Sequence, residues 1–109
     1  MLRKLAAEVR AVVLLKGSPT LVAQPAGEVR VITSGGPVLS TGGTGDVLTG
    51  MIAALLGRGL PPVDAATAGA FTHGLAGELV ARDLGEGAVA GDVAARIPEA
   101  VAAILEPTP

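Results

Sequence analysis

Ala11-Val12-Val13-Leu14-Leu15 is an unbroken aliphatic run that stops abruptly at Lys16-Gly17-Ser18-Pro19. A short, partly β-branched run with no polar break suits a strand covered on both faces, as in the middle of a parallel sheet. Such a strand needs helices over its faces and neighbours along its edges. The rest of the chain is therefore expected to supply them, and an α/β fold follows.

The flanking patterns agree. Residues 1–10 place Leu2, Leu5, Ala6 and Val9 at helical spacing. Thr20–Gln24 and Glu28–Thr33 alternate around Pro25-Ala26-Gly27, which predicts a hairpin. Residues 34–45 are rich in Gly, Ser, Thr and Pro and predict a loop. A helix is expected over 46–57, stopped by Gly57 and Gly59, and another from Pro62 to about Arg82. The second is apolar around most of its circumference, so it should be buried or sandwiched. Gly74 and Gly77 in its middle imply close packing against a neighbour. A last helix is expected over 92–105, with Asp92 as its N-cap and Pro98 as a kink or as the true start. The expectation is thus a short sheet (strands near 11–16, 20–24 and 28–33) packed by three or four helices, within one unit of 109 residues whose tail, 107–109, is frayed.

Several function classes fall away. A net charge of −2 argues against a nucleic-acid binder, and a single aromatic residue, Phe71, offers no stacking platform. With no cysteine and one histidine, His73, a cysteine-based zinc site is excluded and no metal ligand is assigned. Charges at Arg3, Lys4, Glu8 and Arg10 interrupt any signal-peptide core, and no apolar stretch reaches the ~20 residues of a membrane span. These features predict a cytoplasmic protein with neither nucleic acid nor membrane as partner.

The stretch that carries chemistry is Ser40-Thr41-Gly42-Gly43-Thr44-Gly45-Asp46-Val47-Leu48-Thr49-Gly50. Glycines let backbone N–H groups approach an anion closely, and the following helix adds free donors and the positive end of its dipole. Gly42, Gly43, Thr44 and Gly45 therefore read as an anion hole for a phosphate. Neither a Walker A loop nor a dinucleotide fingerprint fits, because Asp46 stands where the former needs Lys and Leu48 where the latter needs a third Gly. A carboxylate beside a phosphate makes sense if it faces a substrate hydroxyl, so Asp46 is the candidate general base. The plainer alternative is an acidic residue that simply stabilises the first turn of a helix.

Lys16-Gly17-Ser18-Pro19-Thr20 lies at the C-terminal end of the expected strand, where α/β proteins bind ligands. Lys16 could meet phosphates there. On spacing alone, an ordinary turn with an exposed lysine is the better reading. For His73, which could line a pocket, a satisfied helix histidine is likewise the better reading.

Together, Lys16–Thr20, Gly42-Gly43-Thr44-Gly45-Asp46-Val47-Leu48-Thr49-Gly50 and His73-Gly74-Leu75-Ala76-Gly77-Glu78 resemble the C-terminal half of the ADP/ATP-dependent NAD(P)H-hydrate dehydratases, repair enzymes with a ribokinase-like fold. The resemblance runs in order along nearly the whole chain, and the glycine-aspartate string is its specific part. It implies a nucleotide-dependent lyase that dehydrates hydrated NADH or NADPH by phosphorylating the ring hydroxyl and eliminating phosphate. By position, Lys16, Gly17, Ser18, Pro19 and Thr20 would contact the adenosine monophosphate part of ADP or ATP, and Gly45 the nucleotide as well. Asp46 would bind the hydrated dinucleotide and act as base. Mg²⁺ is expected with the phosphates. Departures lie at Gly36, where the family usually has Asn, and at Leu39-Ser40, where it often has Met-Ala. The family's catalytic domain is much longer, so the chain is expected to be the nucleotide-and-base part of such a domain. It should then pair with a missing N-terminal half or form a homo-oligomer. Competing expectations are a ribokinase-like small-molecule kinase, disfavoured because the vitamin kinases of that superfamily tend to have Cys where Asp46 stands, and a non-catalytic remnant or assembly module.

Overall fold

The computed structural model describes residues 1–105, so the expected fraying of 107–109 lies outside the described residues. The elements are α1 (Leu2–Val9), β1 (Val13–Leu15), β2 (Thr20–Ala23), β3 (Val29–Ile32), α2 (Thr44–Gly57), α3 (Pro62–Leu84) and α4 (Ala90–Leu105), with short 3₁₀ turns at Pro37–Ser40 and Gly85–Gly87.

The three strands form one antiparallel sheet in the order β1-β2-β3, with Val13 opposite Ala23 and Thr20 opposite Ile32. The expectation that the aliphatic run lies in the middle of a parallel sheet is corrected here. Only Lys16–Pro19 join β1 to β2, and a parallel pair needs a crossover of roughly a dozen residues or more. Among the described residues β1 is an edge strand, and Leu15 is 54% exposed. One side of the run does meet apolar groups: Val12 and Leu14 pack on a core of Val22, Ile32, Leu48, Ala66 and Ala70, and α1 lies against β1 and β2. The hairpin is as expected, its loop closed by Gln24 N–H to the Glu28 carbonyl at 2.9 Å.

The helix ends follow local chemistry. Helix α2 starts at Thr44, two residues before the expected 46, because Gly43 at φ 91° turns the chain into it. It stops where Gly59, at φ 92°, donates to the Leu56 carbonyl and Leu60 donates to that of Leu55. This is the pattern that a left-handed residue just past a helix permits. Asp92 caps α4 from inside the first turn and not from the N-cap position. Its Oδ2 accepts the Val89 N–H at 2.8 Å while its own N–H returns to the Val89 carbonyl at 2.9 Å. Pro98 lies within α4 and is not its start.

Helix α3 is the hub. It meets α2, α4 and the sheet, and ten of its 23 residues are buried. Its glycines set the approach distance, as their presence in mid-helix implies. A Cβ on Gly74 would lie 2.7 Å from the Ser34 carbonyl carbon, one on Gly77 2.7 Å from Leu39 Cδ2, and one on Gly69 2.7 Å from Ile52 Cγ1. Only at Gly74 does the obstruction include backbone within clash distance. Gly74→Ala should therefore destabilise the chain by ~1–3 kcal/mol in urea unfolding. Gly50→Ala, on α2 with open space around it, should be neutral or stabilising by up to ~1 kcal/mol. Equal effects at the two positions would contradict the packing account.

Candidate functional site

The turn that follows β1 is closed by Thr20, whose hydroxyl donates to the Gly17 carbonyl at 3.2 Å and lies 3.3 Å from the Gly17 N–H. It forms one wall of a cleft of about 870 Å³. The end of β3 and the Ser34–Pro37 segment form the opposite wall, and Leu48, Ala70 and His73 close its inner end. All of Lys16, Gly17, Ser18, Pro19 and Thr20 line it.

The glycine loop meets this turn through Lys16. The lysine ammonium donates to Thr44 Oγ1 at 2.8 Å. It also sits against Gly45, 3.9 Å from where a Cβ would stand. Thr44 is fully buried, and its hydroxyl donates inward towards the carbonyls of Leu39 at 2.6 Å and Thr41 at 2.9 Å. Its carbonyl is held from the other side by His73, whose Nε2 lies 3.0 Å away. Two segments 28 residues apart, Lys16 and Thr44, are thus in direct contact, and His73 abuts the second of them.

The backbone donors of the loop divide. The Thr44 N–H turns to the Thr41 carbonyl and the Asp46 N–H to the Gly43 carbonyl. Among the described residues, the N–H groups of Gly42, Gly43 and Gly45 have no such partner. Three of the four expected anion-hole residues thus keep a backbone donor, and of these Gly45 lies near the Lys16 ammonium; none of Gly42, Gly43, Thr44 and Gly45 is part of the cleft lining. Asp46 is exposed in the first turn of α2 and is not part of the cleft wall. It stands one residue beyond Gly45, on the solvent side of the loop.

His73 is buried, 2% exposed, and its pKa is pushed below its usual value of about 6.5. Burial is the main cause, the nearby Lys16 charge adds to it, and the bond to the Thr44 carbonyl works against it. The ring is therefore neutral at neutral pH. A carbonyl can only accept, so Nε2 carries the proton and Nδ1 is left as the acceptor nitrogen. His73 is a satisfied helix histidine, as the sequence favoured, and it also borders the cleft.

The sequence did not single out Ser34, Gly35 and Glu78. Ser34 Oγ donates to the Phe71 carbonyl at 2.8 Å, and the Gly35 N–H donates to Glu78 Oε2 at 2.9 Å. These bonds fasten the cleft's outer wall to α3. Glu78 lies at the end of the His73–Glu78 string, and that placement was the one available signal for it. Among the described residues no group of three or more His, Asp or Glu side chains could hold a metal ion, and no helix is long and apolar enough to cross a membrane.

Comparison with known proteins gives one answer. Residues 1–99 match the family model described as NAD(P)H-hydrate dehydratase. The chain is 50% identical over 91 residues to the bifunctional NAD(P)H-hydrate repair enzyme Nnr of Moorella thermoacetica, covering 83% of this chain and 17% of that protein. It is 46% identical over 94 residues to the ADP-dependent (S)-NAD(P)H-hydrate dehydratase of Neisseria meningitidis, covering 84% and 32%. Among solved structures, the ADP/ATP-dependent NAD(P)H-hydrate dehydratase of Bacillus subtilis, co-crystallized with ATP/Mg²⁺, superposes with a TM-score of 0.86 at 31% identity, covering 92% of this chain and 36% of that one. The chain thus spans about a third or less of the length of the two relatives.

The buried neutral histidine has a pH signature. In the unfolded chain His73 takes up a proton near its usual value of about 6.5, whereas in the fold it does so only at lower pH. The unfolded state binds more protons in that window, so stability falls as pH falls through it. His73 is the one histidine in the chain. Thermal unfolding should show the melting temperature dropping between about pH 7.5 and about pH 5.5, with the drop smaller in His73→Gln. An unchanged drop in the variant would contradict the assignment.

Proposed function

Because this chain belongs to the NAD(P)H-hydrate dehydratase family, we propose that it supplies the nucleotide site and the catalytic base for the ADP- or ATP-dependent dehydration of hydrated NADH or NADPH. The observation that carries this reading is the contact of Lys16 with Thr44 and Gly45, which joins two separate sequence motifs at one place.

In this reading, the nucleoside lies in the cleft along Lys16–Thr20 and its phosphates extend towards the loop. The ammonium of Lys16 keeps N–H donors beyond the one given to Thr44, and it supplies positive charge where a phosphoryl group would gain negative charge. The free N–H groups of Gly42, Gly43 and Gly45 add fixed dipoles. Asp46 receives the proton of the substrate's ring hydroxyl as that oxygen attacks the terminal phosphorus, and ADP or AMP departs. The phosphorylated ring then loses phosphate by C–O cleavage, a proton leaves the adjacent carbon, and the double bond is restored. His73 stays neutral and acts on Thr44 and not on the substrate.

Asp46 is exposed on α2, and Leu15 and Val31 are 54% and 56% exposed on the sheet. We propose that these surfaces and the free edge of β1 are covered by the remainder of a larger catalytic domain or by a second copy. The cytoplasm, where pyridine nucleotides serve as redox carriers, is the proposed location.

Two measurements test the reading. Asp46→Asn in the protein that carries this chain should abolish the recovery of normal nicotinamide absorbance from hydrated NADH with ADP or ATP, while nucleotide binding persists. Unchanged turnover would remove Asp46 as the base, and nucleotide consumption only with an alcohol co-substrate would favour a kinase. The chain by itself should sediment as an associated species, and a monodisperse monomer would contradict the proposed covering of β1.

A further inference from the structure

We infer that the Thr44 side chain is a positioning residue that holds the Lys16 ammonium against the glycine loop, so that a nucleotide phosphate meets a charge already in place. This rests on the nucleotide site proposed above and goes beyond it, since the loop donors assigned there are the N–H groups of Gly42, Gly43 and Gly45 and not the Thr44 hydroxyl.

A lysine side chain has four rotatable bonds, and ordering it on ligand binding costs conformational entropy. Here the ammonium is already committed to one acceptor at 2.8 Å. That acceptor cannot drift. Thr44 is fully buried, its hydroxyl proton is drawn to the Leu39 and Thr41 carbonyls, and its own carbonyl is fixed by His73. The hydroxyl's proton is directed inward, so its lone pair is presented to Lys16. Gly45 leaves space beside the ammonium on the loop side, which a phosphate oxygen could enter. Valine would keep the shape of Thr44 but lose the acceptor. Serine would keep it.

The test compares ADP with adenosine, which lacks the phosphates, in calorimetric titrations of the full chain. Thr44→Val should weaken ADP binding roughly tenfold, as expected for losing a hydrogen bond to a charged group, and leave adenosine binding unchanged. Thr44→Ser should restore ADP binding. In a Lys16→Met background, Thr44→Val should have no further effect, because the two residues act as one. Equal losses for ADP and adenosine, no rescue by serine, or an undiminished loss without Lys16 would each overturn the positioning role alone. If the wild type binds neither ligand, the nucleotide site fails, and the role fails with it. Should Thr44→Val not fold, ¹⁵N NMR of the wild-type lysine ammonium groups decides. Lys16 and Lys4 are both exposed, but Lys16 holds the bond to Thr44, so it should exchange its protons more slowly than Lys4, and equal rates would overturn the tether.

Discussion

The structure depends on how closely α3 can approach its neighbours. Gly69, Gly74 and Gly77 remove the side chains that would hold Ile52, Ser34 and Leu39 at a distance. In exposed helix interiors glycine costs ~1 kcal/mol relative to alanine, so three in one helix must be offset by packing. The return is that α2 and the 34–40 segment both seat on α3. With them in place, His73 reaches the first residue of α2, and Ser34 and Gly35 fasten the cleft's outer wall.

From that packing comes the electrostatic character of the loop. Thr44 is pinned on three sides, by Lys16, His73 and the carbonyls of Leu39 and Thr41. Burial keeps the histidine neutral, so the one full positive charge in this cluster is the lysine's. In the proposed site, a buried hydroxyl places the charge and backbone amides would meet the anion. Such a site needs little net charge on the chain, which fits the small excess of acidic residues.

Much of this was legible in the sequence, and the exceptions share a cause. The hairpin, the buried character of α3, the close packing at Gly74 and Gly77 and the loop-to-helix step at the glycine run all follow from residues near one another in the chain. What was misread turned on partners distant in sequence or on fine backbone geometry. β1 reads as a covered central strand because aliphatic side chains on both of its faces look alike whether the neighbours are parallel or antiparallel. The start of α2 was placed two residues late because Gly43 turns the chain by its positive φ, with no Ser, Asp or Asn to mark the cap. Asp92 does cap α4, from the first turn, and spacing alone does not separate that from the N-cap. The bond from Lys16 to the Thr44 hydroxyl was invisible, since only the fold brings these residues together across 28 positions. Glu78 on Gly35 is the same case across 43 residues.

The central claim is that Lys16–Thr20 and Gly42–Asp46 form one site for the phosphates of an adenine nucleotide. Amide chemical-shift mapping by NMR during titration with ADP tests it most directly. The account predicts that the largest shifts fall on both segments together, with the amides of Gly42, Gly43 and Gly45 among them. Shifts confined to one segment, or centred elsewhere on the chain, would contradict it.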